Sequence, residues 1–345
     1  MDGFVKITNG RALYAEPDKV WIAKGMSVYA IDYIGKKQSR VYTVGTLLER
    51  ILGKFRILRQ GLRIGIHHLL PLKNGNLLVV AKKRVYIIDG KSGCVINTFR
   101  DFQGNKPGHQ GVCITPNGTI FFAEYILNPN RDKSVNLYRS TDNGATFKVV
   151  KSFEPGDIRH LHFVKWDQYE ECLWLGTGDY GEGNRECRLY KSTDNGDTWS
   201  MVGSGSQDWR AIGVCFNRDY VLWGTDAGST PDENHLILMS RKTNTLEIIS
   251  TLEGPCHGCA SYADGRVFVA TGVEGGENEK DRYARLKQIK DKELIDIGKL
   301  RKDIFPLVLQ YGVMRFPLGT EKCDRVCFTA MGLRGFGEVV LCEKR

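Results

Sequence analysis

The sequence lacks an apolar stretch long enough to cross a membrane, and it does not begin with basic residues followed by a hydrophobic segment. A membrane-spanning helix needs about 20 consecutive apolar residues, and a signal peptide needs a basic and then apolar amino terminus. We therefore expect a cytoplasmic protein without a membrane element. If a leader has been removed from the chain, the protein is instead expected to be exported.

Long runs of basic residues are also missing. Lys and Arg number 49 against 40 Asp and Glu, for a net charge of +9, but the basic residues form only short groups such as Lys82-Lys83-Arg84. Nucleic-acid binding favours a clustered basic surface, so no nucleic-acid partner is expected. The positive balance favours an acidic partner, for which an acidic oligosaccharide or polysaccharide is suitable.

Paired cysteine motifs with the spacing of a zinc site are scarce. Among ten cysteines, Cys256 and Cys259 form a single CxxC, and no second CxxC accompanies it. A structural zinc site normally needs four ligands from two such pairs, so the motif assigns no metal. We expect no cofactor; a divalent cation is the alternative.

What the sequence does contain is a repeat. Segments 137–147 and 189–199 are nearly identical, and their serines, Ser140 and Ser192, are 52 residues apart. Both segments match the Asp-box pattern Ser-x-Asp-x-Gly-x-Thr-Trp, with Phe147 in the aromatic position of the first. The chain therefore resembles the BNR-repeat proteins of the sialidase-like β-propeller superfamily. The resemblance implies that these turns are structural and lie away from the functional face.

Weaker copies of this strand-to-turn pattern recur along the whole chain at intervals of 48–57 residues, a period typical of propeller blades. Counting the two clear copies, the pattern occurs seven times, at Asp32, Asp89, Ser140, Ser192, Ser240, Gln288 and Cys342. Each follows a short apolar strand, and many of these strands are preceded by a hairpin turn. We predict an all-β protein, a single β-propeller over residues 1–345 with seven four-stranded blades; six blades fit less well.

The seventh copy of the pattern, at Cys342, leaves too few residues after it to form the outermost strand of the last blade. Segment Phe4–Thr8 lies before the first blade and has the character of a strand, so we expect it to complete the last blade and close the ring. The Leu- and Arg-rich segment 46–61 is predicted to be a helical or extended insert between blades one and two.

The start of each inner strand marks the face of a propeller on which function is expected, near the axis. Polar residues recur at or near the predicted starts of the inner strands: His68, His109, His160, His162, Trp209, Arg210, His257 and Tyr311. We predict catalytic roles for five of them. His109, His160 and His257 are candidate bases, Tyr311 is a candidate acid, and Arg210 is a candidate clamp for a carboxylate.

The loops after the second strands are expected to return to the same face. They contribute Tyr125, Asp179, Asp226 and Glu274, and Arg334 follows the last of these strands. Carboxylates beside aromatic rings are typical of sugar sites, because the acids bind hydroxyls or carry protons while the rings stack on pyranoses. We predict that these residues bind substrate together with His68, His162 and Trp209.

A histidine-rich propeller face resembles the propeller polysaccharide lyases, in which His or Tyr removes the proton beside a uronate carboxylate while Arg or a cation neutralises that carboxylate. A divalent metal held by three of the histidines is a variant of this hypothesis. A true sialidase is not expected, since Arg56-Ile57-Leu58 and Arg63-Ile64-Gly65 both lack the proline of the Arg-Ile-Pro motif. We therefore expect a lyase or glycoside hydrolase acting on an acidic glycan; the alternative is a non-catalytic propeller that binds a glycan or protein.

Overall fold

The computed structural model describes residues 1–35, 37–179, 181–227 and 232–344. Within these ranges the chain forms seven four-stranded antiparallel sheets, the architecture of a seven-bladed β-propeller. The predicted fold class is confirmed.

The first strand, β1 (Phe4–Asn9), belongs to the last blade, blade seven. Blades one to three follow β1 in chain order. Their strands are β2 (Arg11–Ala15), β3 (Lys19–Lys24), β4 (Ser27–Asp32) and β5 (Gln38–Thr43) in blade one; β6 (Ile66–Pro71), β7 (Leu77–Ala81), β8 (Arg84–Ile88) and β9 (Val95–Phe99) in blade two; and β10 (Val112–Ile114), β11 (Ile120–Ala123), β12 (Val135–Ser140) and β13 (Lys148–Phe153) in blade three.

The remaining four blades have the same order of strands. They comprise β14 (His160–Asp167), β15 (Cys172–Gly178), β16 (Arg188–Ser192) and β17 (Ser200–Ser204) in blade four; β18 (Cys215–Phe216), β19 (Tyr220–Gly224), β20 (Asn234–Ser240) and β21 (Leu246–Leu252) in blade five; β22 (Cys256–Ser261), β23 (Val267–Thr271), β24 (Tyr283–Lys290) and β25 (Glu293–Arg301) in blade six; and β26 (Val313–Arg315), β27 (Cys327–Met331) and β28 (Glu338–Glu343), with β1, in blade seven.

The amino-terminal strand completes blade seven. β1 pairs antiparallel with β28, with Phe4 opposite Glu343, and the Phe4 ring meets the Phe328 ring edge-on at a centroid distance of 5.2 Å. This pairing fills the hydrogen-bonding edge that β28 would otherwise expose. The predicted use of the amino-terminal segment is confirmed.

Two short helices lie between β5 and β6: α1 (Leu47–Leu52) and α2 (Arg56–Gly61). α1 begins at Thr46 because the Glu49 backbone N–H donates to Thr46 Oγ1 while the Thr46 backbone N–H donates to the Glu49 carboxylate, at 3.3 and 2.8 Å. The segment predicted to be helical or extended is thus helical over these two ranges. No helix in the described part of the chain is long and apolar enough to span a membrane.

The chain divides into two compact units. Unit 1 comprises Met1–His67 and Asp219–Arg345, and unit 2 comprises His68–Arg218. Apolar side chains of adjacent blades form the core of each unit. Phe268 is 2% exposed and Phe328 is 0% exposed in one such cluster of unit 1.

One core cluster of unit 2 lies between blades three and four. Phe121, Leu161, Leu173 and Leu175 are fully buried there. Strands β11 and β15 supply continuous apolar residues, so both faces of these strands are covered. This packing fixes the strand ends on which the polar residues of unit 2 lie.

The two Ser-Thr-Asp-Asn-Gly segments form identical turns after β12 and β16. In the first, the Gly144 backbone N–H donates to Ser140 Oγ at 2.9 Å, and Thr146 donates to Asp142 through its backbone N–H and hydroxyl at 2.9 and 2.6 Å. The second turn repeats these bonds at the same distances. Gly144 has φ of +83°, which favours glycine. The polar side chains that the two segments share are thus used within their own turns.

Replacing Asp142 by Ala should lower the free energy of unfolding by about 1–3 kcal/mol, because the Thr146 donors and the Ser140 hydroxyl lose their acceptor. Burial raises the pKa of Asp142, but hydrogen bonds from Thr146 and Ser140 outweigh it and lower that pKa. The Asp142 contribution is therefore present above the unfolded-state pKa of about 3.9 and is lost as pH falls through the lower folded-state pKa. Urea unfolding of both proteins between pH 2 and 7 measures this. A stability difference that stays constant over the range would contradict the assignment.

Candidate functional site

The pairing of the first two strands of blade four brings a histidine and an acid together. His160 begins β14 and lies opposite Gly178 at the end of β15, and Asp179 follows Gly178 directly. Because the two strands are antiparallel, the start of one is adjacent to the end of the next. The sequence positions that were predicted to share a face therefore meet within one blade.

Two of the predicted histidines lie at irregularities of the strand register. The β14–β15 pairing shifts between Leu161 and Phe163, and the β22–β23 pairing shifts between Cys256 and Gly258. The extra residue is His162 in the first case and His257 in the second. A bulge leaves its residue out of the ladder and redirects the side chain, so both rings owe their direction to it.

In unit 2, five residues form what we term the unit 2 cluster: Arg159, His160, His162, Asp179 and Arg210. The two histidine Nε2 atoms are 3.2 Å apart, and His160 Nε2 is 3.5 Å from Asp179 Oδ2. Arg159 and Arg210 each donate to one oxygen of Asp179 at 2.8 Å. All are buried except Arg159, whose side chain is 32 % exposed.

An aromatic ring covers this cluster. Tyr125 stacks on His160 with the ring centroids 3.9 Å apart and the planes 29° from parallel, and Tyr125 itself is 40 % exposed. Tyr125 and Arg159 are therefore the parts of the site that solvent or a ligand reaches first. An exposed ring beside a guanidinium suits a sugar that carries an acidic group.

Burial sets the charge state of the unit 2 histidines. It lowers the pKa of His160 to about 3 and that of His162 to about 4, although Asp179 acts in the opposite direction on both. Burial raises the pKa of Asp179, but the surrounding imidazoles and guanidiniums outweigh it and lower that pKa. At neutral pH the two rings are uncharged and the carboxylate is ionised.

In unit 1, four residues form the unit 1 cluster: Asp226, His257, Glu274 and Tyr311. His257 Nε2 and Glu274 Oε1 form an ion pair at 2.7 Å, and a carboxylate oxygen of Asp226 lies within 4.8 Å of both partners. The Tyr311 ring centroid is 6.1 Å from that of His257, and Tyr311 is 42 % exposed. The cluster thus combines two carboxylates, one imidazole and one exposed phenol.

The charge state of His257 differs from that of the unit 2 histidines. Burial lowers the pKa of His257, but the nearby Glu274 and Asp226 carboxylates outweigh burial and the opposing charge of Arg315, so the pKa is raised. His257 keeps its proton to a higher pH than an ordinary histidine. This favours a proton donor in the resting state, whereas the sequence suggested a base.

Two carboxylates outside the predicted set position these clusters. Glu279 accepts the backbone N–H groups of Glu274, Gly275 and Gly276 at 2.5, 2.8 and 3.3 Å and so holds the loop that carries Glu274. Glu186 accepts the backbone N–H of Arg159 at 2.8 Å. Both lie in loops without a motif, so no local sequence signal distinguishes them from solvated acids.

Gly272 leaves the space that the His257 ring fills, since a Cβ added at Gly272 would lie 2.1 Å from His257 Cδ2. Gly272→Ala should therefore displace the ring and lower the free energy of unfolding by about 1–3 kcal/mol, the usual cost of overpacking. Gly61→Ala is the matched control, because nothing lies within 4 Å of a Cβ there. Chemical denaturation of both variants tests this; equal stabilities would show that the ring has room to move.

The other predicted residues lie outside the two clusters. His68 is buried, and its Nε2 lies 2.7 Å from the Gly108 carbonyl oxygen, which ties blade two to the loop carrying His109. His109 is half-buried. The Trp209 ring lies over Gly203 of β17, where an added Cβ would approach it to 2.2 Å, and Arg334 is exposed. Their predicted catalytic and binding roles stay predictions.

A cavity of about 940 Å³ lies elsewhere in unit 1, beside α1 and α2. Its lining includes four cationic side chains, Lys24, Arg50, Lys54 and Arg59, and the carboxylate of Glu338. The excess of positive charge suits an anionic ligand.

Neither a protein-family model nor a curated protein matches the sequence. Solved structures share the fold. The chain superposes on oligogalacturonate lyase from Vibrio parahaemolyticus with a TM-score of 0.61 and 12% identity, covering 99% of this chain and 93% of that one. An oligogalacturonate lyase in complex with manganese gives a TM-score of 0.63 at 10% identity, over 99% and 92% of the two chains.

A further neighbour is much longer than this chain. The extracellular domain of the hybrid two component system BT4673 from B. thetaiotaomicron gives a TM-score of 0.60 at 10% identity over 98% of this chain, which spans only 39% of that chain. At these identities the likeness establishes the β-propeller class and leaves the chemistry to the residues themselves.

Proposed function

We propose that the protein cleaves an acidic glycan by acid–base chemistry at the unit 1 cluster. The observation that carries this proposal is the ion pair between His257 and Glu274, 2.7 Å apart, beside a second carboxylate and an exposed tyrosine. A proton donor and an acceptor held side by side are the groups that glycosidic cleavage requires.

Cleavage by elimination would use these groups as follows. A carboxylate, Glu274 or Asp226, removes the proton from the carbon beside the uronate carboxylate, the adjacent C–O bond breaks to leave a C=C bond, and His257 gives its proton to the departing oxygen. Arg315, which is close enough to oppose the protonation of His257, supplies positive charge for the uronate. His257 acts here as the acid, the role that the raised pKa favours.

Hydrolysis by the same residues is the second route. The carboxylate oxygens of Asp226 and Glu274 lie within 4.8 Å of each other. A separation below that limit fits a retaining glycosidase, in which carboxyl groups about 5–5.5 Å apart act as nucleophile and as acid and base, better than an inverting one, in which they are about 6.5–9.5 Å apart. The products separate the two routes, since only elimination leaves a conjugated C=C bond.

The proposed substrate class rests on charge and on exposed rings. The chain carries a net charge of +9, the cavity beside α1 and α2 is lined by four cations, and Tyr125 and Tyr311 offer ring faces for stacking on sugars. We also infer descent from the Asp-box proteins, which the hydrogen bonds of the two Ser-Thr-Asp-Asn-Gly turns support.

A non-catalytic glycan-binding propeller is the alternative, favoured by the low exposure of the reacting groups. The His257 and Glu274 side chains are only 7% and 19% exposed, whereas Tyr311 is open to solvent. In that case a sugar would stack on the ring without reaching the ion pair.

A screen against acidic polysaccharides tests the proposal. We expect new reducing ends from at least one substrate; accompanying ultraviolet absorbance of an unsaturated uronate identifies elimination, and its absence identifies hydrolysis. Saturable binding in a titration without any product would support the alternative and reject cleavage.

A further inference from the structure

The hydrogen-bond partners of His160 and His162 define which ring nitrogen carries the proton. His160 Nδ1 lies 3.1 Å from the Ile126 carbonyl oxygen, and His162 Nδ1 lies 2.9 Å from the Ala211 carbonyl oxygen. A carbonyl oxygen only accepts hydrogen bonds, so each Nδ1 must carry a hydrogen. In the neutral rings, both Nε2 atoms therefore present lone pairs.

These lone pairs face each other in the buried interior of unit 2. The Nε2 atoms are 3.2 Å apart, and Asp179 Oδ2, also an acceptor, is 3.5 Å from His160 Nε2. Three acceptors without a hydrogen between them repel one another, and burial increases that repulsion. In unit 1, by contrast, Glu274 lies 2.7 Å from His257 Nε2 and raises the pKa of His257, so that contact is favourable. A cation bound among the three atoms of unit 2 would relieve their mutual repulsion.

We propose that the unit 2 cluster binds a divalent first-row transition metal ion through His160 Nε2, His162 Nε2 and Asp179 Oδ2. An ion about 2.1 Å from each nitrogen would subtend an angle of about 100° across the 3.2 Å separation, between the octahedral and tetrahedral values. Imidazole and carboxylate ligands together suit zinc, iron or manganese better than magnesium or calcium.

The surroundings of these atoms support a preformed site. Metal-binding histidines usually donate their other ring N–H to a carbonyl or carboxylate, as both of these rings do. Gly178 makes room, since a Cβ there would lie 2.8 Å from His162 Cε1. Asp179 adopts φ of +140°, a strained value for a non-glycine residue, and such strain is typical of functional sites.

The two arginines affect what else the ion could bind. Arg159 and Arg210 hold Asp179 at 2.8 Å, so they are positioning residues for this ligand. One carboxylate does not neutralise a divalent ion beside two guanidiniums. The remaining coordination positions therefore favour an anionic ligand, such as a carboxylate, over a neutral one.

Zinc binding to the full chain tests this inference. After treatment with a chelator and dialysis against Zn²⁺, elemental analysis should find about one tightly bound ion per chain. His160→Gln and His162→Gln should each weaken Zn²⁺ binding at least about 10–100-fold, and His257→Gln, in the unit 1 cluster, should retain it. Absence of a stoichiometric ion, or unchanged binding in the His160 and His162 variants, would overturn the proposal.

A measurement on the unaltered protein tests the same site without substitutions, so its result does not depend on whether a variant folds. In ¹⁵N spectra of the histidine rings, Zn²⁺ should shift the Nε2 resonances of His160 and His162 while both Nδ1 atoms remain protonated. Unshifted Nε2 resonances would reject the site. Neither experiment depends on glycan cleavage, so the metal site and the proposed function stand or fall separately.

Discussion

Glu274→Gln should lower the rate of glycan cleavage by about 10²–10⁴-fold, the usual contribution of a general acid or base. The amide keeps the size of the side chain but removes the charge that pairs with His257 and the ability to accept a proton. Loss of that charge also removes the main influence that raises the pKa of His257, so its proton would be lost at a lower pH. The rate measured against pH should therefore fall on its alkaline side at a lower pH than in the unaltered protein.

Glu277→Gln is the matched control for this prediction. Glu277 lies in the same loop, three residues further on, and is exposed. Its variant should keep the rate and the pH profile of the unaltered protein. If both substitutions reduce cleavage equally, the loop as a whole is responsible and the role given to Glu274 is wrong; if neither does, the reaction takes place elsewhere.

Arg210→Ala should lower the free energy of unfolding by about 3–5 kcal/mol, the cost of removing one partner of a buried ion pair. The Arg210 and Asp179 side chains are 7% and 8% exposed, and alanine would leave one oxygen of a buried carboxylate without its 2.8 Å donor. The sequence suggested Arg210 as a clamp for a substrate carboxylate. The structure shows that its guanidinium already binds a carboxylate of the chain.

Arg159→Ala provides the comparison, because Arg159 binds the other oxygen of the same carboxylate but is 32% exposed. Arg159 is only partly buried, so water can replace more of its contact with Asp179, and this variant should lose less stability than Arg210→Ala. Denaturant unfolding of both variants measures the difference. Similar losses for the two would mean that burial does not govern the strength of these contacts.

The strand-to-turn period was sufficient to predict seven blades and the use of β1 in the last of them. These features depend on local patterns that each blade repeats, and on a count of strands that leaves one edge open. The same holds for the turn at Asp142, whose hydrogen bonds link residues no more than four apart. Local interactions of this kind are encoded in short stretches of sequence.

For the candidate site, the sequence could predict only the contacts between residues of the same blade. Strand order places His160 beside Asp179, because β14 and β15 are neighbours in both the chain and the sheet. The contacts that give these residues their chemistry come from other blades: the Ile126 carbonyl orients His160, the Ala211 carbonyl orients His162, and Arg210 binds Asp179. The bulges that redirect His162 and His257 also leave no mark in the residue pattern.

The sequence by itself thus determined the number of blades, the structural turns and the residue types at the strand ends. Tertiary structure alone decided which of those residues meet and what charge they carry. A pKa depends on burial and on charges a few ångströms away, and residues distant in sequence supply both. For this reason His162 and His257, which hold equivalent positions at the bulges of β14 and β22, have pKa values shifted in opposite directions.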